Sequence, residues 1–219
     1  MKVFGYPFLS TVNILMTTLV VQPSSAWASV LPFQLDSAPV PSLTLALKFV
    51  EFFRDDGRPI LSEQSVKELV TRINPFFQSC KIRFQVEDYR ALDSKPFGLA
   101  FPVQSPRDMK AFRKPFDDSR YLVVINTQSW DHRKMGTSNA WTAMPGELPS
   151  GVVIEAPVAS YPGLVAHELG HYLSLDHVSN SQNLMSPIIY GTSTFFTPEQ
   201  CSQMRRTAQG VRALAIREG

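Results

Sequence analysis

Three of the four histidines in this 219-residue chain lie in one stretch, HELGHYLSLDH, at residues 167–177. His167 and His171 are four residues apart, and on an α-helix this spacing puts both side chains on one face, with Cβ atoms about 5–6 Å apart. Two imidazoles so placed can bind one zinc ion at Zn–N distances of about 2.0–2.1 Å. The pair alone could equally be two surface or core histidines. A third histidine close by favours a zinc site.

The third histidine, His177, can share the metal only if the helix stops first. On a continuing helix, a residue six positions after His171 would point about 240° away from it. The helix must therefore end near Ser174, and the chain must turn back. Such a turn predicts a left-handed backbone at or near Ser174, a conformation that glycine adopts freely and serine does not. The fourth histidine, His132, is predicted to be an exposed loop residue with no role.

Glu168 follows a predicted ligand, but its side chain points far enough from the histidine face to reach a water rather than the metal. Zinc with three histidines keeps a fourth position open, which is the catalytic rather than the structural arrangement. The metal lowers the pKa of its bound water, and Glu168 can accept the proton. Together these residues predict the hydrolysis of a polarised carbonyl, above all that of a peptide bond.

The elements that must position this group are indicated by hydropathy patterns and turn residues. Strands are predicted at 43–53, 81–89, 121–126, 138–144 and 151–157. Helices are predicted after Ser62 or Ser65 with an end or kink at Pro75, around the histidine stretch after Pro162-Gly163, and from Thr197; residues 93–119 are predicted to be a loop. This order favours a single mixed α/β domain.

The first 28 residues differ from the rest of the chain. Residues 3–21 carry no charge, and the segment closes on Ala26-Trp27-Ala28, an A-x-A cleavage signal. We therefore expect a signal peptide at 1–28 and a secreted or periplasmic protein; an uncleaved membrane anchor is the alternative. Residues 29–42 are rich in proline and serine and indicate a leader or short pro-segment.

Charge and cysteine content limit the partners and the compartment. The formal net charge is +2. The basic residues are scattered along the sequence and do not indicate a binding surface for nucleic acid or an anionic membrane. We expect a monomer that binds a protein or peptide substrate, without stable membrane association after signal cleavage. Cys80 and Cys201 are an even pair in an exported protein, which favours a disulfide over two buried free thiols.

The histidine stretch resembles the signature of metzincin zinc proteases, H-E-x-x-H-x-x-G-x-x-H followed by a methionine turn. Ser174 stands where that signature has glycine. Eight residues after His177, Met185 in NLMSP is similar to the methionine of that turn, which packs beneath the zinc site. LMSPIIY is also similar to matrixins, and NAWTAMP followed by GVVI is similar to pappalysin-like bacterial members.

The resemblance implies an α+β fold for residues 43–219: a metzincin-like catalytic domain with a twisted mixed sheet, an antiparallel edge strand, an active-site helix and a C-terminal helix. It implies a secreted zinc endopeptidase that hydrolyses peptide bonds through a zinc-bound water activated by Glu168. One catalytic zinc is expected, and no prediction is made for Ca²⁺. An extended substrate would lie along 138–144. Ile188, Ile189 and Tyr190 are candidates for the specificity-pocket wall, with core packing as the alternative.

Several departures and rival interpretations remain open. Pro187 occupies the place of the metal-binding tyrosine of astacins, so a fifth protein ligand of that type is not expected. Residues 29–42 hold no cysteine for a matrixin-type switch, and Asp36 is the candidate inhibitory carboxylate or else a turn residue. A gluzincin-like metallopeptidase would use Glu199 as third ligand and leave His177 unexplained. A non-catalytic, zinc-stabilised binding domain would leave Glu168 unexplained.

Overall fold

The computed structural model describes residues 40–217, so the predicted signal peptide and Asp36 lie outside the described part. The strands are β1 (Leu43–Phe52), β2 (Ile82–Leu92), β3 (Leu122–Thr127), β4 (Ala140–Thr142), β5 (Val152–Glu155) and β6 (Ile216–Arg217). The helices are α1 (Glu63–Phe77), α2 (Pro106–Arg113), α3 (His132–Met135), α4 (Pro162–Tyr172) and α5 (Pro198–Gln209). None of these helices is long and apolar enough to cross a bilayer.

The strands form one mixed sheet in the order β2-β1-β3-β5-β4. Strands β2, β1, β3 and β5 are parallel neighbours, and β4 lies antiparallel to β5 at the edge. The short β6 pairs antiparallel with the start of β1. Every residue of β3 and β5 is buried, as continuous apolar runs in covered parallel strands require. The predicted α+β fold with an antiparallel edge strand is confirmed.

Helix α1 packs against β2 and α4 through a stripe of buried residues at helical spacing: Val66, Leu69, Val70, Ile73 and Phe77. Its N-cap is Ser62, whose hydroxyl accepts from the backbone of Ser65, so the alternative cap at Ser65 was wrong. Pro75 does not end the helix, which continues to Phe77. The side-chain amide of Asn74 ties this last turn to the backbone of Phe84 on β2.

The prediction of a loop at 93–119 was wrong, because this segment contains helix α2. Ser105 and Asp108 form a reciprocal capping box, with Pro106 at the first helical position. Met109 and Phe112 then enter the core. The prolines that suggested a loop therefore include one that begins a helix.

A disulfide joins Cys80, in the turn after α1, to Cys201 in α5. The two residues are 121 positions apart in the chain. In the chain-entropy model, closing a loop of this length stabilises the folded state by about 4–5 kcal/mol. Helix α5 begins as predicted, with Thr197 as its N-cap and Pro198 at the first position.

Candidate active site

Helix α4 carries His167, Glu168 and His171 and fixes their direction through its opposite face. Val165, Leu169 and Tyr172 are completely buried against the core. At 3.6 residues per turn, the two histidines lie on the side of the helix roughly opposite these anchors, and Glu168 lies between the two sides. Burial of the apolar face thus turns both imidazoles toward the cleft.

The chain reverses direction at Ser174, as the placement of His177 requires. Helix α4 ends at Tyr172, and Ser174 has a φ of 76°. The backbone N–H of Leu175 donates to the carbonyl of Gly170 at 3.0 Å, and that of Ser174 donates to His171 at 2.9 Å. This is a Schellman ending with serine at the left-handed position. The prediction of a helix end with a left-handed Ser174 is confirmed.

Helix α5 holds this unusual serine from the outside. The hydroxyl of Thr207 donates to Ser174 Oγ at 2.8 Å, and the amide of Gln203 donates to the carbonyl of Ser174 at 2.5 Å. A non-glycine residue in this region costs about 1–3 kcal/mol and persists where its surroundings hold it. Both α5 side chains were missed in the sequence, since nothing local relates them to the histidine stretch.

The Nε2 atoms of His167, His171 and His177 converge on one point, 3.0, 3.1 and 3.2 Å from one another. Tetrahedral zinc with Zn–N bonds of about 2.0–2.1 Å would separate its nitrogen ligands by about 3.3 Å. Within residues 40–217, these histidines are the one group of three or more His, Cys, Asp or Glu side chains whose ligand atoms lie close enough together to hold one metal ion. The donor set therefore fits a zinc ion in number, type and spacing.

Backbone carbonyls orient two of the three rings. Nδ1 of His167 donates to the carbonyl of Leu184, and Nδ1 of His171 donates to that of Leu175, each at 2.6 Å. A carbonyl oxygen can only accept, so in the neutral imidazoles Nε2 carries the lone pair that faces the shared centre. This is the tautomer that a metal ligand needs.

Burial shifts the pKa values of the group in the directions that this chemistry needs. It lowers the pKa of His167 to about 4 and also lowers that of His171, so both rings stay neutral at pH 7. Burial raises the pKa of Glu168 to about 7, while a hydrogen bond from Thr142 acts in the opposite direction. A carboxylate in this range can both accept and return a proton near neutral pH.

Thr142 on the edge strand is a contact of Glu168 that the sequence did not indicate. Its hydroxyl donates to Glu168 Oε2 and also lies 3.3 Å from the Glu168 backbone carbonyl oxygen. A threonine in a short strand looks like an ordinary surface residue. Only the packing of β4 beside α4 gives it this neighbour.

Met185 lies beneath helix α4, where the methionine turn was expected. It is fully buried, and its backbone N–H donates to Asn183 Oδ1 at 2.9 Å. A Cβ atom on Gly170 would lie only 2.5 Å from Met185 Sδ, so the thioether touches the helix next to His171. Gly170 was also missed, although a glycine inside an apolar helix signals a close approach.

The histidines and Glu168 lie in a cleft that begins at the edge strand. Its other lining residues are Thr137, Ser138, Asn139, Ala140, Trp141, Thr142, Met144, Val158, Tyr161, Leu164, Pro187, Ile188 and Ile189. Ile188 and Ile189 thus lie where a pocket wall was predicted, whereas Tyr190 is not among the lining residues. Tyr161, which sequence reasoning missed, also lines the cleft, and both Tyr161 and Ile189 pack against Gly163, where a Cβ atom would lie 3.3 and 3.4 Å from them.

His132 is exposed as predicted, but it is the first residue of α3 rather than a loop residue. Its Nε2 lies 3.0 Å from Glu155 Oε2, and its Nδ1 lies 3.0 Å from the Gly136 carbonyl oxygen. The carbonyl of Gly136, followed by Glu155, raises its pKa. Glu155 is buried and also accepts from Asn139, just before β4. His132 therefore contacts the segment before β4 through Glu155 and does not line the cleft.

No family model matches the sequence. Among solved structures, the chain is similar to mature mirolysin from Tannerella forsythia in complex with a cleaved peptide, with a TM-score of 0.62 and 14% identity over 81% of this chain and 96% of that one.

It is also similar to metalloproteinase-II from Bacteroides fragilis (TM-score 0.50, 14% identity) and to a chain of a chaperone–substrate complex (TM-score 0.54, 12% identity). These matches cover 78% and 80% of this chain but only 55% and 36% of the other chains. At such identities the similarity concerns the fold, and the fold of this chain is metallopeptidase-like.

Proposed function

We propose that this chain is a zinc-dependent endopeptidase of the metzincin type. The observation that carries the proposal is the convergence of the Nε2 atoms of three histidines on one point, with the carboxylate of Glu168 beside them at an open edge strand. When bound, zinc would polarise the scissile carbonyl and lower the pKa of a water. Among structurally similar proteins, metalloproteinase-II is named as a proteinase and mirolysin was solved in complex with a cleaved peptide, which agrees with this chemistry.

In this proposal each residue has a separate task. His167, His171 and His177 hold the ion. The carbonyls of Leu184 and Leu175 fix the orientation of the His167 and His171 rings. Glu168 accepts a proton from the attacking water and delivers it to the nitrogen of the leaving amine. In this proposal the three histidines hold the zinc ion, and Glu168 carries the proton.

The substrate is proposed to be an extended peptide that joins the sheet beside β4. Strand β4 ends the sheet order, so one of its sides is open within the described part of the chain. An added strand gains backbone hydrogen bonds there, while pockets select alternate side chains. The apolar side chains of Ile188, Ile189 and Leu164 favour an apolar substrate residue in the pocket next to the histidines.

The position of Glu199 speaks against the gluzincin-like alternative. This side chain is exposed in the first turn of α5 and does not belong to the histidine group. The third member of that group is His177. The non-catalytic alternative makes a different prediction, namely zinc binding without turnover.

We further propose that residues 1–28 are removed during export and that residues 29–42 are a leader of the mature, monomeric protein. The disulfide between Cys80 and Cys201 supports an oxidising compartment, either extracellular or periplasmic. Sequencing the N-terminus of the exported protein tests the cleavage site. Comparing the activities of chains that start at Ser29 and at Leu43 tests whether the leader inhibits.

The decisive experiment measures zinc content and cleavage of a broad peptide library, with and without a chelator. We expect one zinc per chain, cleavage that the chelator abolishes, and no cleavage by Glu168→Gln with zinc still bound. Glu68→Gln, an exposed residue of α1, is the matched control and should cleave like the wild type. If the wild type binds zinc and is as inert as Glu168→Gln, the chain is a binding domain and not an enzyme.

A further inference from the structure

The outer side of β4 is made by the backbones of Ala140 and Thr142. The N–H of Ala143 donates inward to Gly151 at 3.1 Å, and the carbonyl of Asn139 accepts from Glu155 at 2.9 Å. In an antiparallel ladder, residues whose backbone groups bond inward alternate with residues whose groups point outward. With Thr142 opposite Val152 and Ala140 opposite Ile154, both belong to the outward set. Their N–H and C=O groups are therefore available to an added strand.

The side chain of Thr142 points in a different direction from its backbone groups, toward α4. Its hydroxyl donates to Oε2 of the buried Glu168. Within residues 40–217, the other carboxylate oxygen, Oε1, has no hydrogen-bond partner. The contact therefore selects which oxygen of Glu168 remains free to face the cleft.

We propose that Thr142 is a positioning residue that couples docking of the substrate strand to the orientation of Glu168. The inference rests on the proposed peptidase function. Strand β4 has only three residues, and among the described strands it pairs with β5 alone. A substrate that bonds to the outward backbone of Thr142 would hold this residue from both sides. Its hydroxyl would then keep Oε2 in place and present Oε1 to the attacking water.

This role differs from simple stabilisation of a buried carboxylate. A purely structural hydroxyl would affect folding, zinc affinity or peptide binding when it is removed. A positioning hydroxyl affects the chemical step, because it fixes the orientation of the carboxylate that accepts the proton from the attacking water. The prediction is therefore a fall in kcat with little change in KM.

The test compares Thr142→Val, which replaces the hydroxyl by a methyl group, with Thr142→Ser, which keeps the hydroxyl. With the best-cleaved library peptide, we expect Thr142→Val to lower kcat about 10- to 100-fold, the loss of one hydrogen bond to a charged group. KM should change less than about threefold, and Thr142→Ser should recover most of the rate. Thr71→Val, which removes a hydroxyl from the exposed face of α1, is the matched control.

Two measurements do not depend on turnover. Zinc affinity should be equal in wild type and Thr142→Val, since the histidines are untouched. Binding of the same peptide to the metal-free proteins should also be equal, since the backbone of β4 is unchanged. Trp141, which is exposed in the cleft, can report this binding by its fluorescence.

Each outcome decides one of the two proposals. If the wild type cleaves nothing, the proposed function fails. If it cleaves and Thr142→Val keeps the wild-type kcat, or loses zinc or peptide affinity in proportion to its rate, the positioning role is wrong. Should the valine variant not fold, Thr142→Ser and Thr142→Ala replace it as the comparison, because they differ by the hydroxyl alone. Equal kcat values for that pair would likewise overturn the inference.

Discussion

Gly170 and Met185 touch each other so closely that position 170 has no room for a Cβ atom. Such an atom would lie 2.5 Å from Met185 Sδ and 3.5 Å from Phe196 Cε1. Met185 is fully buried, so a displacement of its side chain must disturb its neighbours in the core. The distance between α4 and the turn that carries Met185 is thus set by a glycine between the two helical histidines.

Gly170→Ala is expected to destabilise the protein and to weaken zinc binding. Overpacking of a core costs about 1–3 kcal/mol, which exceeds the helix preference for alanine over glycine of about 1 kcal/mol. Displacement of Met185 would also move the neighbouring Leu184 carbonyl away from His167 Nδ1. Thermal unfolding and zinc competition with a chelator measure the two effects. Gly191→Ala is the control, since its Cβ meets nothing within 4 Å; equal behaviour of the two variants would contradict this account.

Ser174→Gly should reveal the strain in the turn before His177. Glycine adopts a φ of 76° without the steric cost that serine bears. The wild-type background hides part of the gain, because Thr207 loses the acceptor of its hydrogen bond. In a Thr207→Val background we expect Ser174→Gly to raise the free energy of unfolding by about 1 kcal/mol, and by less with Thr207 present. Urea unfolding of the wild type, the two single variants and the double variant gives the coupling energy between positions 174 and 207. Strictly additive effects on the free energy of unfolding would rule this coupling out.

Glu51 is expected to make the protein less stable as the pH rises from about 5 to 8. Burial raises its pKa from 4.5 to about 8, against hydrogen bonds from the Leu61 backbone and from Asn126. Between these two values the folded state keeps a proton that the unfolded state has released, so stability falls with rising pH. Arg54 lowers this pKa, and the nearby Tyr89 titrates at about 12, above the window.

Glu51→Gln should remove this part of the pH dependence. One pKa unit is worth about 1.4 kcal/mol. Between pH 5 and 8, the free energy of unfolding of the wild type should therefore fall by a few kcal/mol more than that of the variant. Urea unfolding at several pH values measures it. The exposed His132, whose pKa is also raised, remains in both proteins and cancels in the comparison. Parallel stability curves would show that Glu51 ionises normally.

Zinc stoichiometry should separate His177 from Glu199 as the third ligand. His177→Ala removes one of the three converging Nε2 atoms, so zinc should dissociate at chelator concentrations that the wild type withstands. Glu199→Ala alters an exposed residue at the start of α5 and should leave one zinc per chain. The reverse pattern would establish the gluzincin-like alternative.

Much of the active-site helix could be predicted from the sequence because its logic is local. The spacing of His167 and His171 on one helical face follows from 3.6 residues per turn. The demand that the helix stop at Ser174 follows from the same geometry once His177 is required to share the metal. Five of the six described strands were also readable, since each of the five carries its own apolar pattern; the two-residue β6 is too short to show one. Local signals misled at Pro106, which begins a helix inside the predicted loop, and at His132, which begins the short helix α3.

The contacts that refine the site join residues far apart in the chain, and no local pattern encodes them. Thr142 meets Glu168 because the edge strand packs beside α4, and Thr207 reaches Ser174 because α5 lies against the same turn. A threonine has the same strand or helix propensity whether its hydroxyl faces water or another side chain. Its partner is chosen by the packing of whole elements around one core, and only the folded arrangement shows it.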